Sequence, residues 1–171
     1  MVGSLNEENA YNIINNIIAA NTDDEVDQIV FWVSSGGGNP EIITPIREIM
    51  LMCDKPTVAI GAIRVCSTAT SLFMIPEKRI LLPNTLFLLH KSGRANINHA
   101  TEDELRKIYQ ETVATTKLLF DPVIHNSLIP ESMLAEKCCE NDWTLTEDEI
   151  KKFRITTMDY DREVVKKLIM G

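Results

Sequence analysis

The segment PTVAIGAIRVCSTATSLFMIP, residues 56–76, opens with an apolar run of strand length. It then passes through four hydroxyl side chains, Ser67, Thr68, Thr70 and Ser71, and closes on an apolar run that reads as a short helix. A buried strand leading straight into a helix is half of a crossover unit, so this stretch sets an expectation of an α/β fold with a largely parallel sheet. It also poses a chemical question. Ser and Thr at a strand-to-helix turn most often cap the helix, because their oxygens satisfy free backbone N–H groups, but any of the four hydroxyls is also a candidate nucleophile.

The flanking sequence repeats the alternation. Upstream, ENAYNIINNIIAA (8–20) carries Ala10, Ile13, Ile14, Ile17 and Ile18 at helical spacing and leads into the strand-like run QIVFWV (28–33). In GGGNPEIITPIREIMLMC (36–53), Asn39 is a cap, Pro40 stands at the first helical position and Glu41 in the first turn, ahead of a stripe of Ile42, Ile43, Ile46, Ile49 and Met50. Pro45 falls early enough in this helix to cost little. Downstream, KRILL (78–82) and TLFLLH (85–90) read as strands separated by the turn pair Pro83-Asn84. The longest helix is expected over TEDELRKIYQETVATTKLLF (101–120), opened by a capping box of Thr101 and Glu104. Two shorter helical segments follow, in PESMLAEKCCEND (130–142) and TEDEIKKF (146–153). The second has a Thr146/Glu149 box, and Trp143 lies between them.

With 171 residues, 44% of them apolar, the chain can bury one sizeable core, and a single domain over 1–171 is expected. A net charge of −8 argues against a nucleic-acid or anionic membrane surface, which would need clustered Lys and Arg. No apolar run approaches the roughly 20 residues of a membrane span, and MVGSLNEENA lacks the basic start and apolar core of a secretion signal. A cytoplasmic location is the expectation. The cysteines Cys53, Cys66, Cys138 and Cys139 show no CxxC spacing and read as reduced core thiols. His90, His99 and His125 are too dispersed for a metal motif, so neither metal nor cofactor is expected.

Three features fall at strand ends, where open α/β folds place their sites: the glycine run of SSGGGN (34–39), Ser67 at a helix start, and His90 closing TLFLLH. Each alone has an ordinary structural explanation. In order along the chain they form a pattern that resembles the ClpP family, the proteolytic subunit of the Clp protease, within the wider ClpP/crotonase group. VSSGGGNP (33–40) is similar to that family's oxyanion loop, KRILLPNTLFLLHKSG (78–93) to its Leu-Pro-Asn segment and the strand that ends in its catalytic His, and ENDWTLTEDEI (140–150) to the segment carrying its catalytic Asp. The resemblance runs from about residue 3 to about residue 157. The chain departs from the family at Ile63 and Arg64, where Gly and Gln are usual, and at Ser34 and Gly36, where Asn and Pro are usual.

The resemblance implies a ClpP/crotonase-like fold of repeated β-β-α units with a protruding handle over about 91–126. It implies a serine endopeptidase acting on extended or unfolded polypeptides, with Ser67 as nucleophile, His90 as general base and Asp142 as the residue that orients the His. Ser67 is preferred to Ser71 because Cys66 and Ala69 beside it are small. Gly38 and Thr68 would supply the oxyanion hole, and Gly37, Ser92 and Gly93 would contact substrate. A homo-oligomer of heptameric rings, stacked in pairs, is the implied assembly. An ATP-dependent unfoldase is the weakest of the implied partners, because the axial segment that engages it in the family would precede Met1. A catalytically weak assembly subunit and a crotonase-like acyl-CoA enzyme are the alternative readings of the same fold.

Overall fold

The computed structural model describes residues 1–93, 100–139 and 141–170. Helix α1 (Glu7–Thr22) is opened by Asn6, whose side chain accepts from the Asn9 N–H. It leads to strand β1 (Ile29–Ser35), a 3₁₀ turn (Pro40–Ile42) and α2 (Ile43–Leu51). The Asn39 cap therefore opens the 3₁₀ turn rather than the α-helix, because Pro40 fixes a tight first turn that runs on into α2. The opening segment of the sequence becomes β2 (Thr57–Cys66) and α3 (Thr68–Phe73), and β3 (Lys78–Leu81) and β4 (Leu86–Leu89) follow on either side of the Pro83-Asn84 turn. Beyond them lie α4 (Glu102–Asn126), α5 (Glu131–Lys137), β5 (Trp143–Thr144), α6 (Glu147–Lys152) and α7 (Arg162–Met170).

Among the described residues the sheet has five strands, in the order β1-β2-β4-β5 with β3 also beside β2. The β1–β2, β2–β3 and β2–β4 pairs are parallel, as the strand–helix alternation requires, and β5 runs antiparallel to β4. Strands β3 and β4 pair successive parts of β2, residues 58–61 and then 64–66. Between those parts β2 bulges at Ile63, which is 77% exposed and has φ 61°. A β-branched residue in that left-handed region costs about 1–2 kcal/mol, and the bulge turns the end of β2 towards α3.

The main core lies between the sheet and the helices α1 to α4, and includes an edge-on pair of Phe73 and Phe87 with centroids 5.9 Å apart. Both capping boxes read from the sequence form, Thr101 with Glu104 and Thr146 with Glu149. Helix α4 continues through Pro122 to Asn126, six residues past the expected end, because Leu119, Phe120 and Val123 bury this last stretch. Its first turns carry Leu105, Tyr109 and Val113 as an exposed stripe at i, i+4 spacing. Residues 94–99 of the handle expected over about 91–126 lie outside the described residues.

Of the four cysteines, Cys66 and Cys138 are core thiols, whereas Cys53 is half-buried and Cys139 exposed. Cys139 lies outside the core because Cys138 already ends α5, and the chain turns outward after it. All four are free.

Arg79 on β3 is 3% exposed, and its guanidinium donates to the carbonyls of Ile155, Pro76, Asn126 and Arg154 at 2.7–3.2 Å. It ties the end of α4 and the segment after α6 to the sheet. Burial, and secondarily Arg154, lowers its pKa to about 10, so it remains charged at neutral pH. Arg79→Met would strand these carbonyls without donors, and a stability loss of at least about 3 kcal/mol is expected by urea unfolding. A loss below about 1 kcal/mol would mean that water reaches them.

Candidate active site

Ser67 is the residue between β2 and α3, with φ 55° and ψ −130°. A non-glycine residue held there stores roughly 1–3 kcal/mol of strain. Its side chain makes no capping hydrogen bond, so the ordinary explanation for a hydroxyl at this turn does not apply. The other three hydroxyls are committed to carbonyls. Thr68 Oγ1 donates to Gly38 O at 2.9 Å, Thr70 Oγ1 to Ser67 O at 2.6 Å, and the buried Ser71 Oγ to Leu119 O on α4 at 2.7 Å. Ser71 fastens α3 to α4, which leaves Ser67 as the half-buried, uncommitted member of the cluster.

His90 follows β4 directly. The Ser67 N–H donates to Leu88 O at 3.1 Å, so the turn is stitched to β4 two residues before the histidine. On the other side of β4, Leu88 faces Thr144 and Leu89 faces Trp143. One further step of this antiparallel register sets His90 opposite Asp142, and His90 Nδ1 lies 3.8 Å from Asp142 Oδ1. The two-residue strand β5, which the sequence reading left as a spacer containing Trp143, is thus what brings the carboxylate to the imidazole. Asp142 is 63% exposed and His90 36% exposed.

The glycine loop meets the same turn. A Cβ on Gly37, where φ is 99°, would lie 2.6 Å from Ser67 Cβ, so only glycine lets the loop press against the serine. The next residue, Gly38, is flanked by backbone bonds to Leu5: the Leu5 N–H donates to Gly37 O and the Asn39 N–H to Leu5 O. A residue between two such bonds presents its own N–H and C=O to the opposite side, and there Gly38 O accepts from Thr68 Oγ1. Thr68 begins α3, where backbone N–H groups have no intrahelical partner. Ser92 is half-buried and Gly93 exposed, in chain without regular structure just past His90.

Two contributors escaped the sequence reading. Ser35, fully buried, accepts from the Gly37 N–H at 3.0 Å and donates to Gly3 O, which sets the curve of the glycine loop. Its signal was a hydroxyl at the end of an apolar strand immediately before the glycines. Leu5 contributes through its backbone alone and left none. The thiols of Cys66 and Cys138 adjoin this region. Burial chiefly pushes both up, Cys138 to about 11, with Asp142 adding to the effect, so they are protonated and unreactive at neutral pH. Among the described residues there is no cluster of His, Cys, Asp and Glu able to hold a metal ion, and no helix long and apolar enough to cross a membrane.

The family model for Clp protease matches residues 1–156. Over 165 residues the chain is 26% identical to an ATP-dependent Clp protease proteolytic subunit 3 of Rhizobium etli, covering 93% of this chain and 83% of that protein. Among solved structures it resembles a mutant of ClpP1 from Listeria monocytogenes, with a TM-score of 0.81 over 95% of this chain and 91% of the other. At 18% identity that likeness is one of fold: mixed α/β and ClpP-like.

Proposed function

Because the chain belongs to the Clp protease family, we propose that it hydrolyses peptide bonds of extended or unfolded polypeptides through an acyl-enzyme, with Ser67, His90 and Asp142 as its triad. The observation that carries this reading is the meeting of the strained, uncapped Ser67 turn with β4, whose next residue is His90, 3.8 Å from Asp142. With Nδ1 turned to Asp142, the other ring nitrogen of His90 is the one that serves Ser67. It takes the Ser67 proton as Oγ adds to the substrate carbonyl, then gives that proton to the departing amine. Water repeats the sequence to release the acyl group. The N–H groups of Gly38 and Thr68 stabilise the oxyanion, a contribution of roughly 10²–10³ in rate for one donor. Gly37, Ser92 and Gly93 border the path of an extended peptide, which binds by adding a strand beside the site.

The proposed assembly is a closed homo-oligomeric ring, heptameric by family resemblance and stacked in pairs through α4. Its support is the exposed apolar stripe of Leu105, Tyr109 and Val113 on α4, together with Tyr11 and Ile18 on α1. Self-association would bury both sets.

A second reading, a subunit that serves assembly without turnover, is favoured by one observation: 3.8 Å is an ion-pair separation rather than a hydrogen bond. A fluorophosphonate probe separates the two. The expected result is a single adduct on Ser67 that is lost in His90→Ala, because the imidazole must accept the serine proton. An unlabelled but folded chain would establish the assembly reading. Labelling that is unchanged in that variant would remove His90 as the base.

A further inference from the structure

Two hydroxyls hold the glycine loop from opposite sides. Ser35 Oγ, at the end of β1, accepts from the Gly37 N–H at 3.0 Å, and Thr68 Oγ1, at the start of α3, donates to Gly38 O at 2.9 Å. They act on different peptide units. The unit between Gly37 and Gly38, which carries the Gly38 N–H, is fixed at its carbonyl by the Leu5 N–H. The unit between Gly38 and Asn39 is held at both ends, its N–H by Leu5 O and its carbonyl by the Thr68 hydroxyl. A peptide unit bonded at both ends cannot turn about its own axis. Gly38 joins the two units through a pair of torsions that glycine leaves soft, and a Cβ there would run into the Leu5 carbonyl, so no side chain at this position could stiffen it. The stiffness has to come from outside the loop. On the side facing the candidate nucleophile it comes from Thr68, whose buried side chain has no water to exchange for Gly38 O.

We infer that the Thr68 hydroxyl is a positioning group for the oxyanion hole: by tying Gly38 to the residue that follows Ser67, it sets the separation and direction of the Gly38 and Thr68 N–H groups before substrate arrives. The inference rests on the catalytic reading and deepens it, since that reading uses only the backbone of Thr68. Donors aimed at a developing oxyanion are effective because they need no reorganisation at the moment of reaction. Without the clamp the carbonyl of Gly38, an exposed residue, turns to water, and the soft torsions at Gly38 let the neighbouring N–H drift with it. A misplacement on the order of 1 Å costs up to about 10² in rate. The hydroxyl is not itself a third oxyanion donor, because its single proton is given to Gly38 O.

The test compares two pairs of full chains that differ at residue 68 chiefly in the hydroxyl: wild type with Thr68→Val, and Thr68→Ser with Thr68→Ala. Within each pair, loss of the hydroxyl is expected to lower kcat on a fluorogenic peptide about 10–100-fold and to leave KM within about twofold. Fluorophosphonate labelling of Ser67 should slow in parallel, because the phosphonyl oxygen occupies the same hole. Amide exchange at Asn39, whose bond to Leu5 O the clamp secures, should quicken at least about tenfold. Equal kcat within the pairs, a loss confined to KM, or unchanged exchange at Asn39 overturns the inference. A lowered melting point with kcat per folded molecule unchanged makes the hydroxyl structural and also ends it. Should Thr68→Val fail to fold, the Ser and Ala variants decide. A wild type that neither hydrolyses nor labels ends the catalytic reading and the clamp's role with it, whereas an active wild type matched by its hydroxyl-free variants ends the clamp alone.

Discussion

Ser67→Ala is expected to lose peptide hydrolysis by roughly 10⁶-fold, the scale on which deleting the nucleophile acts in serine proteases, while its unfolding free energy stays within about 0.5 kcal/mol of wild type. The small stability effect follows from the turn itself. The Ser67 side chain caps nothing, and alanine meets the same backbone strain at φ 55° as serine does. Ser71→Ala is the informative control, since it differs by one turn of α3 and has the opposite character. Removing its hydroxyl leaves the buried Leu119 carbonyl without a donor, so about 1–3 kcal/mol of stability is lost while the folded fraction keeps its activity. Peptidase assays alongside urea melts separate the two. An inactive Ser71→Ala beside an active Ser67→Ala would show that the nucleophile had been assigned to the wrong hydroxyl.

That pair of variants also marks where sequence reasoning stops. The strand and helix on either side of Ser67 are legible because apolar residues recur at their periods, and the two capping boxes because a cap needs only residues three apart. The choice between Ser67 and Ser71 is not local. It depends on Leu119, 48 positions from Ser71, taking that hydroxyl and on the bulge at Ile63 redirecting β2. Asp142 illustrates the same limit. Read by itself it is an acid before a capped helix, and only the family resemblance singled it out. The reason for its position is β5, a strand of two residues, too short to have a period, whose register with β4 is a long-range property. Arg79 and α7 were missed for related reasons: the partners of Arg79 are carbonyls, which no side-chain pattern reports, and α7 hides its one buried residue, Val165, in a charge-rich segment.

Asp142→Asn is the second large expected effect, a loss of about 10⁴ in kcat with the fold intact. A carboxylate can only accept, so in the proposed triad Asp142, 3.8 Å from Nδ1 of His90, is assigned to hold the proton on that nitrogen and leave the other one free to accept from Ser67. An amide can turn its NH₂ to the same atom, which favours the opposite tautomer and puts a proton where the base should be. Because Asp142 is 63% exposed, the substitution buries no orphaned group and the melting curve should not move. At 3.8 Å the pair is wider than a hydrogen bond, and catalytic contacts of this kind tighten when substrate is bound. The separation therefore predicts a loss concentrated in kcat rather than in KM. A variant with unchanged kcat would return Asp142 to the surface, as an acid that merely precedes Trp143. A variant with raised KM alone would make it a substrate contact. Only a fall in kcat with fluorophosphonate labelling of Ser67 slowed in parallel fits an orienting carboxylate, since the probe tests the nucleophile without the peptide-binding groove.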